Sequence, residues 1–511
     1  MADAIKFIFP KIPNLISTII KHYKNGPPKP SWNLKFHLAL VITRLTIDSL
    51  YYTKIENVQR FSSKPVAISS DFAVDQVRIS NEYRKNAQQH IDNLMKEYEH
   101  LIDDEWNKLD NLEELSAEWI YIKENGFMQK EDKRIILYLH GGAYIMCSTG
   151  SHRNVTSGIA KAADAHVFAI NYRLAPQNQF PAALHDALAA YLYLTNPPKD
   201  AGFSAINPKQ IVIMGDSAGG GLTIATLLAL RDIGLPMVAG AVGWSPWVDL
   251  THSMPSILSK ECDKSDYLPP ATLQFLPSQA QSRFFERSAA LTKKIKQSNK
   301  PKIWHKSLDR EIRVQQYAAN EALSLPYISP LCAESLGGLP PMLLTAGDGE
   351  RLRDEIIYFA FKASQPSKYL LPIYNAGKFE ISPFKTPTNV TLEIYEDMPH
   401  MFQIFGFNES TPFSFQRAAE FIREAVASAS EKSTSNKITN SSNYVRISAN
   451  KQVSPLNESD YSVLEWQNVG CAPTVEVPIK TPMKTPNEVK IRPLDIIVYI
   501  VAIFAIISYL S

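Results

Sequence analysis

Apolar and polar positions divide the chain into regions of different texture. From about residue 133, short apolar runs alternate with amphipathic ones. IILYL, VFAI, IVIM, VAGAVGW, MLLT and LEIY read as buried strands, and FPAALHDALAAYLYL and LTIATLLALRD as the helices between them. Strands that are apolar throughout are covered on both faces, and their alternation with helices predicts a doubly wound, mostly parallel sheet. Between residues 255 and 325 the alternation lapses into the Lys/Arg-rich stretch RFFERSAALTKKIKQSNKPKIWHK, which is too long for a bare loop and reads as an inserted cap.

Before residue 130 the apolar pieces are broken by prolines: IKFIFPKIPNLISTII, then GPPKPSWNLKFHLALVITRL, then a charged, helix-like NLMKEYEHLIDDEW. Pro10 and Pro13 forbid one long spanning helix, so this region is either a lid over the core or a segment lying in a membrane interface. After residue 427 the chain turns to SASEKSTSNKITNSSNYV and TPMKTPNEVKIRP, which bury too little apolar surface to fold and predict a disordered tether. Leu494 to Leu510, LDIIVYIVAIFAIISYL, is apolar on every face and predicts a transmembrane helix. Lys484, Lys490 and Arg492 precede it and Ser511 alone follows, the pattern of a tail anchor with the bulk of the protein on the cytosolic side; the short span suits the endoplasmic reticulum membrane. The expected organisation is therefore lid, cap or membrane-interface segment (1–130), core (131–254), cap insertion (255–325), core (326–427), tether (428–493) and anchor (494–510).

Composition adds exclusions. With 511 residues, 45% of them hydrophobic, and a net charge of +2, the chain holds one large domain plus additions, and nothing points to nucleic acid. Cys147, Cys262, Cys332 and Cys471 lack metal-site or disulfide-framework spacing, which fits a reduced compartment. Sequons at Asn154, Asn389, Asn408, Asn440 and Asn457 matter only on a luminal chain.

The candidate chemistry begins where the strand IVIM runs into Gly215-Asp216-Ser217-Ala218-Gly219. A serine on a tight strand-to-helix turn is pushed out at the edge of the sheet, with the N–H of Ala218 at the positive end of the following helix. Asp216 is expected to cap that helix. About 75 residues earlier, after IILYL, comes His140-Gly141-Gly142-Ala143-Tyr144, a loop whose Gly141 and Gly142 amides are candidate oxyanion donors together with Ala218. A serine hydroxyl needs a base. His400, in EDMPHMF after the strand LEIY, combines a strand-end loop with a place after all the other parts.

HGGAY, NYRLAP, FPAALHDA, GDSAGG, SPWVDLTHS, ISPL, LRDE and MPHMF, in this order, resemble the hormone-sensitive lipase family of α/β-hydrolases. The Lys-Pro-Ser-Trp opening at Trp32 and the tail resemble its fungal branch, which includes steryl acetyl hydrolases. The resemblance implies an α/β-hydrolase fold with a helical cap, ester hydrolysis through a Ser, His and Asp or Glu triad, and neither metal nor cofactor. It places Glu350 in the acid's position, aligned through Leu352 and Asp354; Asp348 is the competitor, with Asp354 behind it. Tyr172, Arg173 and Asp186 fall in a family signature and are expected to be structural.

The expected function is a serine carboxylic ester hydrolase acting through an acyl-enzyme on short-acyl, lipophilic esters, acetylated sterols among them. The alternatives are a non-catalytic small-molecule binder and an acyltransferase or amidase on the same fold, since the acyl acceptor is chosen by the pocket and not by the triad.

Overall fold

The computed structural model describes residues 12–109, 112–128, 134–269, 275–300, 313–368, 383–430 and 442–461. Its strands are β1 (Phe72–Ile79), β2 (Leu115–Ile122), β3 (Ile135–Leu139), β4 (His166–Ile170), β5 (Ile211–Asp216), β6 (Gly240–Trp244), β7 (Met342–Gly347), β8 (Val390–Tyr395), β9 (Asn443–Ile447) and β10 (Val453–Pro455). They form one sheet in the order β1-β2-β4-β3-β5-β6-β7-β8-β9-β10. From β4 to β9 all neighbours are parallel. The β1–β2, β2–β4 and β9–β10 pairs are antiparallel.

The helices of eight or more residues are α1 (Ile12–Asn25), α2 (Leu34–Leu50), α3 (Ile55–Ser62), α4 (Asn81–Met95), α5 (Arg153–Ala163), α6 (Ala182–Thr195), α7 (Ala218–Asp232), α8 (Gln279–Gln297), α9 (Arg353–Ser364) and α10 (Ser410–Ala429). One large apolar cluster joins α6, α7 and α9 to the sheet, and a second packs Val155 and Ile159 of α5 and Ile422 of α10 against it. Both faces are thereby covered. This is why β3 to β7 are buried at every position and read as unbroken apolar runs. Register does the rest: Leu139 lies opposite Gly215, Asp216 opposite Trp244, and Gly347 opposite Tyr395, so the loops after β3, β5, β7 and β8 all leave the sheet at its C-terminal edge.

Three regions differ from the sequence expectation. Before residue 130 the chain contributes β1 and β2 to the sheet as well as α1 to α4 to its covering. In the charged stretch, α4 stops at Met95 and the chain continues as a turn, with Leu101, Ile102 and Trp106 buried. Second, the expected tether is not wholly without structure: Asn443–Ile447 pairs with β8, burying Val445, Ile447 and, beyond it, Leu456. One five-residue strand inside a polar tract leaves composition almost unchanged, but β8 offers it a free edge. Third, the expected transmembrane helix at 494–510 lies outside the described residues, and among the described residues no helix is long and apolar enough to cross a membrane. The fold class is corrected to an α/β-hydrolase sheet with helical covering, and membrane anchoring through a C-terminal helix is no longer part of it.

Candidate active site

Ser217 sits between β5 and α7 with φ 51° and ψ −122°, a backbone conformation costly for a residue with a Cβ. Its surroundings hold it there. The N–H of Ser217 donates to Trp244 O at 2.9 Å, and its carbonyl accepts from Trp247 N at 2.9 Å and Gly221 N at 3.0 Å. The flanking glycines are required by close approach: a Cβ on Gly219 would stand 2.0 Å from Leu139 O, and one on Gly215 2.3 Å from Gly219 O. The strand carrying the HGG loop and the first turn of α7 touch through these missing side chains.

In that loop Gly142, Ala143 and Tyr144 have φ of 113°, 54° and 62°. Gly141 departs from the expectation of a free oxyanion donor, because its N–H donates to Asp216 Oδ1 at 3.0 Å. Asp216 also departs from its expected role. Rather than capping α7, it accepts Gly141 N–H and the Tyr138 hydroxyl, the latter at 2.6 Å, tying the loop to the elbow. Gly142 and Ala143 carry the next two N–H groups, and Ala218 the first of α7; Ala143 was passed over in the sequence because nothing there shows which amides are already engaged.

Glu350 and His400 come together from the loops after β7 and β8. Both are buried, with Glu350 Oε1 3.6 Å from His400 Nδ1, just outside hydrogen-bond length. Neither atom has a hydrogen-bond partner elsewhere among the described residues. Glu350 Oε2 is held by Ser245 Oγ at 2.7 Å and Gly347 N at 2.8 Å. Asp348 is engaged elsewhere: its oxygens meet Lys29 Nζ at 3.4 Å and Arg446 at 3.2 Å. Asp354 accepts from Arg353 Nε at 2.8 Å and Ser256 N at 3.0 Å.

Two supports lay outside the sequence reasoning. Ser245, at φ 45°, links the loops by donating to Glu350 and accepting the N–H of Met401 at 3.1 Å. Asp266, buried, accepts the N–H of His400 at 3.1 Å and of Arg351 at 2.8 Å. Burial alone lowers the His400 pKa, but Glu350, Asp266 and Asp216 outweigh it, and the imidazole titrates above its usual 6.5. By contrast His140, stacked on Tyr172 at 4.3 Å, is pushed down to about 3 by burial and by His152.

Arg173 and Asp186 belong to the scaffold: Asp186 accepts Arg84 Nε at 2.7 Å and Arg173 N at 2.8 Å in a fully buried cluster. Tyr172 donates to His140 O at 2.6 Å. Beside the elbow, Tyr144 stacks on Tyr317 with centroids 3.8 Å apart and lies 6.3 Å from the Trp247 ring, an aromatic wall against the first turn of α7. A nucleophile candidate on a strained turn, backbone donors around it, and a buried imidazole with a carboxylate behind it together suit acyl transfer.

Residues 136–290 match the description of an alpha/beta hydrolase fold. The chain is 30% identical to an acetyl-hydrolase of Streptomyces hygroscopicus over 315 residues, covering 61% of this chain and 80% of that protein. A putative acetyl-hydrolase of Mycobacterium tuberculosis is 39% identical over 115 residues, 22% of this chain and 35% of its own length. Among solved structures, EstE5 from a crystal soaked with p-nitrophenyl butyrate superposes with a TM-score of 0.50 at 26% identity, covering 76% of this chain and 98% of that one. A mutant of the esterase E40 also gives a TM-score of 0.50, at 25% identity, over 76% of this chain and 98% of its own.

Proposed function

The chain belongs to the hormone-sensitive lipase family of α/β-hydrolases and is a carboxylic ester hydrolase; on that premise we propose that it acts through Ser217, His400 and Glu350, by way of an acyl-enzyme, on short-acyl esters of lipophilic alcohols. The observation that carries the reading is the buried Glu350 and His400 contact, formed at the same sheet edge as the Ser217 elbow.

In this reading His400 takes the proton as Ser217 Oγ attacks the ester carbonyl, and Glu350 stabilises the imidazolium and keeps Nδ1 protonated in the resting state. The oxyanion is received by the N–H groups of Gly142, Ala143 and Ala218, since that of Gly141 is spent on Asp216. Collapse returns the proton to the departing alcohol and leaves the acyl group on Ser217. Water, deprotonated by His400, then attacks that ester and releases the acid, restoring both residues.

The preference for short acyl groups draws on the wall of Tyr144, Tyr317 and Trp247 beside the elbow, taken as the boundary of the acyl site. It is supported too by the acetyl-hydrolase relatives. Acetylated sterols are the lipophilic esters we put first. The test is hydrolysis of p-nitrophenyl acetate and a sterol acetate by the full chain beside Ser217→Ala and His400→Ala. Turnover lost in both variants supports the triad. Activity surviving in either, or a preference for long-chain triacylglycerols, overturns the corresponding part, and acetyl transfer to an added alcohol in preference to water replaces hydrolysis with a transferase.

A further inference from the structure

Helix α1 carries its apolar stripe on the outside. Ile12, Ile16, Ile19, Ile20 and Tyr23 follow at i, i+4, i+7, i+8 and i+11, one face of a helix, and all are exposed, Ile20 at 58% and Tyr23 at 75%. They are five of the seven large apolar side chains exposed among the described residues. The partly covered side instead holds Leu15, Thr18 and His22, and His22 Nδ1 meets His37 Nδ1 of α2 at 3.1 Å. A helix in water turns the other way, so this orientation points to an occupant for the outer face.

Charge identifies the occupant. The segment IPNLISTIIKHYKN contains no acidic residue, and Lys21 and Lys24 are exposed on it. The preceding sequence has the same character, with Ile5, Phe7, Ile8 and Phe9 interleaved with Lys6 and Lys11. An apolar stripe with Lys24 at its edge, on a helix without acids, complements an anionic lipid surface, where apolar side chains enter the acyl boundary and the ammonium group stays among the phosphates.

The helix is also well placed. It rests on α2, whose Phe36 packs on Phe405 at 5.5 Å, and the connecting segment lays Trp32 against the His400 loop, its Nε1 donating to Asp397 O at 2.6 Å. We propose that α1 docks in the plane of an anionic bilayer surface, through its outward apolar stripe and the Lys24 at its edge, and brings the site beside lipid-dissolved esters. The docking stands on the helix itself; its link to substrate supply rests on the lipophilic-ester reading.

Amide hydrogen exchange of residues 12–25 in the full chain tests it, without vesicles and with phosphatidylcholine vesicles containing or lacking phosphatidylserine. Exchange slowed by about tenfold or more on the anionic vesicles, weakened by salt and abolished in Ile16→Glu/Ile20→Glu, is the expected result. Unchanged exchange on anionic vesicles overturns the proposal, as does protection that grows with protein concentration in their absence, which assigns the stripe to a second copy. In the same variant, hydrolysis of soluble p-nitrophenyl acetate stays at the wild-type rate while that of a vesicle-embedded sterol acetate falls. If both rates fall together, α1 is part of the catalytic covering instead. If no ester is hydrolysed by wild type, the exchange result still decides the docking.

Discussion

The carboxylate of Asp266 accepts the backbone N–H of His400 at 3.1 Å and, through its other oxygen, that of Arg351 beside Glu350 at 2.8 Å. One buried side chain from the stretch between β6 and β7 therefore ties the loop of His400, the proposed base, to the loop of Glu350, the proposed acid. Its charge also helps hold His400 protonated. In Asp266→Asn the amide nitrogen faces one of these N–H groups and can accept nothing. We expect kcat/KM for p-nitrophenyl acetate to fall by about 10-fold or more, with the His400 titration moved to lower pH. A loss of rate without movement of the pH profile would reduce Asp266 to a purely structural tie.

The rate itself should titrate. A base must be neutral to accept the serine proton, and the His400 pKa lies above 6.5, so kcat/KM should rise with pH through a midpoint above that value. Glu350→Gln removes the largest of the groups that raise it, so the midpoint should shift down while the plateau drops by about 10³ to 10⁴. Initial rates of the two proteins across the pH range check both signs. Asp348→Asn, which disturbs contacts to Lys29 and Arg446, should leave the midpoint in place.

At Gly219 there is no room for even one methyl group, because Leu139 O and His140 O lie 2.0 and 2.5 Å from the position a Cβ would take. Both are backbone atoms of the HGG strand and cannot step aside separately. Gly219→Ala should cost about 3 kcal/mol or more in urea unfolding, or abolish folded expression. Gly234→Ala, where no atom lies within 4 Å but φ is +73°, should cost only about 1 kcal/mol.

Acyl length should answer to the aromatic wall. Tyr317→Ala removes the ring stacked on Tyr144 and opens space beside the elbow. The ratio of kcat/KM for p-nitrophenyl butyrate over acetate should rise by about 10-fold, the scale set by one or two methylenes entering an apolar pocket. An unchanged ratio would place the acyl group elsewhere.

Much of this was legible in the sequence for a plain reason: it is local. Unbroken apolar runs such as IILYL and IVIM mark doubly covered strands, and those strands are where they were expected. Ser217 and His400 stood out as candidates because each follows directly on a strand, and a strand end fixes where a loop emerges. The strand at Asn443–Ile447 was missed because its partner, β8, is about fifty residues away and its own composition is polar.

The sequence alone determined the core strands β3 to β8, their alternation with helices, and the short motifs that load one sheet edge with a serine, amides, carboxylates and an imidazole. Only the tertiary structure decided which of them meet. Glu350 rather than Asp348 faces His400, Gly141 spends its N–H on Asp216 while the next amides of the loop remain, and Asp266 reaches His400 across 134 positions of chain. Such choices depend on register and on which polar group has already found a partner. In a buried site most donors and carboxylates must find partners, and a group engaged by one is less available to another, so the assignment belongs to the whole fold and not to any one stretch of it.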